Sequence, residues 1–421
     1  MTGEINIEHD INIHLENKKA SRKFFVYIFV MYTLVYMTKN CFNGALADIV
    51  SEGVLTKSQT GLITAAFYIV YTPLQILGGI VADKVSPELM IKLSLIGSAV
   101  ANAIIFFNHN YYVMLIVWTL NAVVQFALWP STYKIITSQL CRSDMNTMIF
   151  LISITASVGL LFSYVIAAIM PSWEYNFAFS AAVLLLLAGF LHVYDRRLSG
   201  YMIPDRINND VSDNVIDSKI HGRSVFWKSG FLILLIVVFV RSVVGTGIKT
   251  LSPLMFVETY GVKTSVGNLL NTLIIICGLV GTLLVKFVLY PRIIKNDIFG
   301  MIIMMSLSLA CGVLLALVPN MTATLISLCL MAVVTTAMSL FISYFNAGFS
   351  KYGKNGTAAG LSNSAESFGI VASSYGIVKI SEIWSWGAVR FVWLYMLAIS
   401  VLTLVPIFFM NIKFKKRMKE D

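Results

Sequence analysis

Four ionisable side chains stand inside long apolar stretches of this 421-residue chain: Lys39, Arg241, Lys249 and Glu366. Holding such a group near a bilayer centre costs about 2.5–3.5 kcal/mol on insertion scales, so it usually marks a substrate or ion pathway. Most other charges fall in the gaps between the apolar stretches. Three cations against one acid suit a pathway for anions, because a desolvated cation is stabilised by an incoming negative charge.

The spacing around these residues adds detail. Tyr32, Tyr36, Lys39 and Asn43 recur at i, i+4, i+7 and i+11, which places all four on one helical face. A face with an ammonium, two phenols and an amide meets lipid poorly and is expected to line a central cavity. The plainer alternative is that Lys39 snorkels or pairs with an acid, although Asp48 lies about 13 Å further along the helix. Arg241 and Lys249 stand two turns apart on nearly one face, with Arg241 about 20 Å along the helix from Lys228. Arginine's planar fork meets phosphate or carboxylate oxygens two at a time, and lysine acts as a mobile point charge. An interhelical ion pair is the competing explanation. Glu366 has no acidic companion in GTAAGLSNSAESFGIVASS. It is expected either to pair with a cation in the empty cavity, where an anion would displace it, or to titrate and couple proton movement.

Weaker candidates surround this set. Tyr68, Tyr71 and Gln75 follow a helical spacing, and Trp129-Pro130 predicts a kink. Asn268, Asn271, Tyr344, Asn346 and Asn363 serve equally well as hydrogen-bonding glue between helices. All five histidines fall in tails, loops or helix ends, which argues against a histidine proton relay in the membrane. No phosphate-binding glycine loop with a following Lys-Ser/Thr, metal-ligand cluster or nucleophile motif occurs, so neither an ATPase nor an enzyme is expected, and no cofactor or metal. The five widely spaced cysteines (Cys41, Cys141, Cys277, Cys311, Cys329) read as small buried thiols.

The elements that must position these residues follow from composition. The chain is 57% hydrophobic and only 12% charged, and its mean hydropathy is +0.80. Apolar runs long enough to cross a bilayer of about 30 Å predict an all-α membrane protein. Twelve helices are expected over 24–49, 59–82, 89–108, 111–139, 146–170, 175–194, 229–256, 265–289, 298–318, 321–349, 357–381 and 388–412. The polar stretch 195–228 reads as a linker dividing them six and six, with tails at 1–23 and 413–421. Lysine and arginine crowd the tails, this linker and alternate gaps, which predicts that both termini are cytoplasmic. The net charge of +10 is then a topology signal, and nucleic acid is the poorer explanation. No cleavable signal peptide is expected, because residues 1–17 are polar.

The two predicted halves echo one another. Lys57 and Lys263 occupy the gap after the first helix of each half, with Gly61 and Gly267 four residues on. This is the parallel-repeat pattern of major facilitator transporters. Gly79-Ile-Val-Ala-Asp83-Lys84 resembles the conformational signature of that superfamily between its second and third helices. More narrowly, the chain resembles the organophosphate:phosphate antiporter family, which includes bacterial glycerol-3-phosphate and hexose-phosphate transporters. YTLVYMTKNCFNGAL (32–46) matches that family's first-helix pattern, with Lys39 at its substrate-binding arginine. Tyr71, Trp129-Pro130 with Lys134, Leu251-Ser252-Pro253 and GTAAG (356–360) are further echoes. The departures are specific. Lysine replaces the family's first arginine, Gly245 stands at its second, Gln75 stands at a second-helix lysine, and its fifth-helix histidine falls near Ala156.

The resemblance implies a secondary transporter of a small organic anion, with Lys39, Tyr32, Tyr36 and Tyr71 in its substrate set, to which the buried charges and helical spacing add Arg241, Lys249 and Asn43. Glu366 is the expected coupling or salt-bridge residue, and Gly79, Asp83 and Lys84 form the conformational motif. An organophosphate or sugar phosphate is favoured and a carboxylate fits, moved by antiport or with protons. The expected partners are that anion, its counter-substrate or proton, and the bilayer, with the protein a monomer in a cell membrane, a bacterial inner membrane by preference. The rivals are a transporter-like receptor that senses an anion and a proton-driven exporter.

Overall fold

The structure is a computed structural model that describes residues 26–132, 142–198, 222–289, 292–294, 296–318, 320–349 and 354–420, with most of the side chains within them. Among these residues there are helices and short connections and no strand, as lipid requires, since a helix satisfies its backbone within one crossing. Twelve crossings can be followed. In the first half α1 comprises 26–39 and Cys41–Ser51, α2 is Lys57–Lys84, α3 Pro87–Phe107, α4 Tyr111–Gln125 with a continuation to Thr132, α5 Arg142–Ile169 and α6 Glu174–Leu198. In the second half α7 comprises Phe231–Thr250 and Ser252–Tyr260, and α8 is Thr264–Leu284 with a π-helical extension Val285–Leu289. α9 is Asp297–Leu317 and α10 Met321–Ala347. α11 comprises Asn355–Val371, a π-helical Ala372–Ile377 and Val378–Ile383, and α12 is Trp386–Glu420. Eight helices are long and apolar enough to cross a membrane by length and composition alone.

Local chemistry fixes many of the starts. Thr56 and Gln59 form a reciprocal capping box at α2, and Ser86 caps α3 ahead of Pro87. Asn110, Asn296 and Asn320 accept first-turn N–H groups at α4, α9 and α10. These polar caps sit in the gaps that divide the apolar runs, which is why the runs were legible as helices.

The second half packs around one large core that also takes in Leu46 of α1, the first half around two smaller ones, and the halves repeat one contact in detail. In the first half α5 approaches α1 at Gly159, where an added Cβ would lie 2.6 Å from the Thr33 carbonyl and 2.5 Å from the Tyr36 Cβ. In the second, α11 approaches α7 at Gly369, with 2.6 Å to the Phe239 carbonyl and 2.5 Å to the Ser242 Cβ. The two halves then meet reciprocally: α2 packs on α11, and α5 on α8. Leu160 and Tyr164 of α5 share a small core with Ile275 of α8.

Several boundaries differ from expectation for identifiable reasons. The first crossing is broken at Asn40, whose side chain donates to the Tyr36 carbonyl at 2.7 Å. The seventh breaks at Leu251 and resumes at Ser252-Pro253, because proline has no N–H to continue the ladder yet suits a first turn. Gly79, Asp83 and Lys84 lie in the last turns of α2 rather than in a loop, and their side chains lie outside the described residues. The helical pattern of α4 lapses at Phe126–Ala127, ahead of Pro130, which cannot donate back to Phe126. Within the expected linker, 199–221 lie outside the described residues. Gly222–Lys228 forms a short helix whose Phe226 ring packs against Phe231 and Phe349.

Candidate functional site

Lys39 ends the first segment of α1, one residue before the break, and its ammonium points into a box of aromatic rings. Nζ lies 3.7 Å from the Tyr71 ring centroid, 5.2 Å from Phe67, 5.7 Å from Tyr68 and 5.9 Å from Tyr36. Phe67 and Tyr71 stack at 5.5 Å, so the box is itself packed. Among the described residues Lys39 forms no ion pair; ring faces take the place of a counter-ion, each worth about 0.5–2 kcal/mol.

Arg241 is treated differently. It is buried in α7, where Nη1 donates to the Thr335 carbonyl of α10 at 3.1 Å and Nη2 pairs with the Glu366 carboxylate of α11. The Ser242 hydroxyl donates to the Glu366 carbonyl, which ties the two helices together at that turn. The pair is lopsided: the Arg241 side chain is 7% exposed and that of Glu366 44%. The carboxylate therefore stands between a buried guanidinium and open space. An anion arriving from that side competes with the carboxylate for Arg241.

The two charge centres are linked electrostatically through their neighbours. Glu366 acts electrostatically on Tyr36 and Tyr68 of the opposite half and on Lys249 of α7. Lys249 is half-buried, feels Arg241 as well, and forms no ion pair among the described residues. Tyr68 lies within electrostatic reach of Lys39, Tyr71, Tyr36 and Glu366, although its spacing had given it less weight than its neighbours.

Of the predicted set, the structure thus brings together Lys39, Tyr36, Tyr71, Arg241, Lys249 and Glu366. Tyr32 is buried one layer away, its ring 5.4 Å from Tyr36 and 5.5 Å from Trp129. Asn43 lies on the far side of the break and donates to the Asn40 side chain at 3.0 Å, which braces the break. Phe67, Asn40 and the Thr335 carbonyl were not anticipated. Phe67 looks like ordinary core in sequence, and a backbone carbonyl leaves no side-chain signal. Asn40 offered one cue, a polar residue directly after a buried lysine.

The chain matches the family model described as Major Facilitator Superfamily over residues 28–374. Membrane sensor protein UhpC of Salmonella typhimurium is 28% identical over 167 residues, covering 39% of this chain and 38% of that protein. A probable hexose phosphate transport protein of Chlamydia trachomatis is 22% identical over 137 residues, 32% of this chain and 30% of that one. Sugar phosphate exchanger 3 of Xenopus laevis is 25% identical over 150 residues, 33% of this chain and 29% of that one. The matched stretches thus span well under half the length of these curated relatives. Among solved structures, a bacterial homologue of the human lysosomal transporter Spinster, inward-facing and unoccupied, aligns with TM-score 0.67 at 16% identity over 94% of this chain and 96% of that one. The nucleoside transporter NupG aligns with TM-score 0.63 at 16% identity over 92% and 98%. These structural likenesses show the fold.

Proposed function

The chain belongs to the Major Facilitator Superfamily, and on that premise we propose that it is a secondary transporter of a small organic anion, working by rocking of its two six-helix halves. The observation that carries this reading is the pairing of buried Arg241 with half-open Glu366, within electrostatic reach of the residues that box Lys39. In the empty carrier Glu366 stands in for the substrate on Arg241. An arriving anion takes Arg241 from the carboxylate and draws Lys39 off its rings, exchanging cation–π contacts for an ion pair. Lys39, covered only by ring faces in the empty carrier, makes closure costly and a bound anion relieves that cost, which favours exchange of one anion for another. An organophosphate or sugar phosphate is the favoured cargo, supported by relatives described as a hexose phosphate transport protein and a sugar phosphate exchanger. A carboxylate fits the same charges.

The positive-inside pattern supports cytoplasmic termini in a cell membrane, with Lys57 outside. Contacts between the halves gather at the Lys57 end, so the conformation described is closed there. Asp83 and Lys84, close to the other end of α2, suit the conformational role assigned to their motif. A second reading is sensing without flux, favoured by the similarity to membrane sensor protein UhpC.

Thermal unfolding of the purified protein tests the site. Ligand stabilises by RT ln(1 + [L]/Kd), about 2.7 kcal/mol at a hundredfold excess over Kd. Phosphate, sugar phosphates, glycerol phosphate and carboxylates form the panel. At least one phosphorylated compound should raise Tm, and the shift should vanish in Lys39→Gln and Arg241→Gln. A shift that survives both substitutions would remove these residues from the site.

A further inference from the structure

The N-terminal end of α2 is gripped by the opposite half from two sides. Lys57 Nζ lies 2.8 Å from Glu258 Oε2, on the α7 segment beyond the break. The Ser58 hydroxyl donates to Glu382 at the end of α11, where Lys379 Nζ also sits, 2.8 Å from that carboxylate and 3.1 Å from Ser58 Oγ. The Trp386 indole N–H aims Glu258 by donating to the same Oε2 at 2.7 Å. One turn along α2, a Cβ on Gly61 would lie 2.3 Å from the Ser374 carbonyl oxygen of α11, so the backbones touch. Both carboxylates also face the positive end of the α2 dipole.

The internal repeat shows that this grip is half of a duplicated arrangement. The register that carries Thr33 onto Phe239 and Tyr36 onto Ser242 also carries Glu52 onto Glu258 and Lys57 onto Lys263. The anchoring is repeated too, because the Trp173 indole N–H donates to Glu52 Oε2 at 3.1 Å. The charge pair is not repeated. Among the described residues, Glu52 and Lys263 are exposed and form no ion pair. We propose that Lys57 and Glu258 are a latch that holds this face shut, the engaged member of a duplicated pair whose twin, Glu52 and Lys263, is unengaged in the described conformation. Breaking it shifts the protein towards the state open at the Lys57 face.

Thr246 provides a reporter. It is half-buried on α7 between Arg241 and Lys249, beneath the contact in which the Tyr164 hydroxyl donates to the Thr250 carbonyl at 3.2 Å. Thr246→Cys is introduced alone, with Lys57→Glu, with Glu258→Lys and with both. Its modification by a membrane-impermeant maleimide is followed from the Lys57 face of oriented vesicles, with the parent protein correcting for native cysteines. Each single reversal should raise the rate about tenfold, the effect of about 1.4 kcal/mol on opening. The double reversal should restore the slow rate. Unchanged rates in the single variants, or a double variant as fast as either single one, would overturn the latch. If a reversal impairs insertion, Glu258→Gln removes the charge with little change of shape. Faster labelling in that variant supports the latch, and unchanged labelling overturns it. No substrate is needed, so the outcome is separate from the anion reading.

Discussion

Lys39 and Arg241 are both cations among apolar helices, yet they are neutralised by different means. Arg241 has a carboxylate, and Lys39 has four ring faces. A carboxylate competes directly with an anionic ligand, and ring faces do not. Removing the competitor in Glu366→Gln should therefore tighten anion binding while slowing exchange, since a more tightly held anion is released more slowly. A hydrogen bond to a charged group is worth about 1.5–3 kcal/mol, so affinity should rise by roughly ten- to hundredfold. Titration calorimetry checks this, and weaker binding would mean that Glu366 contacts the ligand itself. At this scale the sequence was informative where burial is costly. Lysine, arginine and glutamate announce themselves in an apolar run, whereas Phe67 could not be told from core and the Thr335 carbonyl had no side chain to betray it.

At the scale of elements, small residues decide how near the helices come. Gly159 and Gly369 let the fifth helix of each half lie against the first, and Gly369 is one turn from Glu366. A methyl at either place meets backbone and must push the helices apart. Gly159→Ala and Gly369→Ala should each lose about 1–3 kcal/mol, read as a lower Tm. Gly369→Ala should also weaken binding by parting Glu366 and Arg241. Gly189 of α6 has nothing within 4 Å of a Cβ, so Gly189→Ala should leave Tm unchanged or raise it slightly. Equal losses at all three positions would deny the close approach a special role. The twelve runs were legible because polar caps and charges punctuate them. The breaks at Asn40 and Leu251 were not, because hydropathy is blind to a local turn inside an apolar stretch. Leu251-Ser252-Pro253 carried a proline signal inside the expected span 229–256 and proved to be a joint.

The whole molecule is two similar halves that meet through α2 on α11 and α5 on α8, with the proposed anion site between them and contacts that close it at the Lys57 end. Each half supplies one of the two central cations, so the proposed site needs both halves. α7 links the site to the closure. It carries Arg241, Lys249 and Thr250 before its break and Glu258 after it. This architecture was expected from charge distribution and the Lys57/Lys263 repeat, both of which survive without coordinates. The reciprocal contacts and the asymmetry of the latch were not, because they depend on which surfaces touch. The measurement closest to the central claim is counterflow in liposomes loaded with phosphate. Uptake of labelled sugar phosphates, glycerol phosphate and carboxylates would be followed for the parent protein, Lys39→Gln and Arg241→Gln. The account predicts uptake of at least one organophosphate that depends on internal anion and is lost in both variants. Anion binding with no flux, under either an anion or a proton gradient, would contradict transport and leave a sensor in its place.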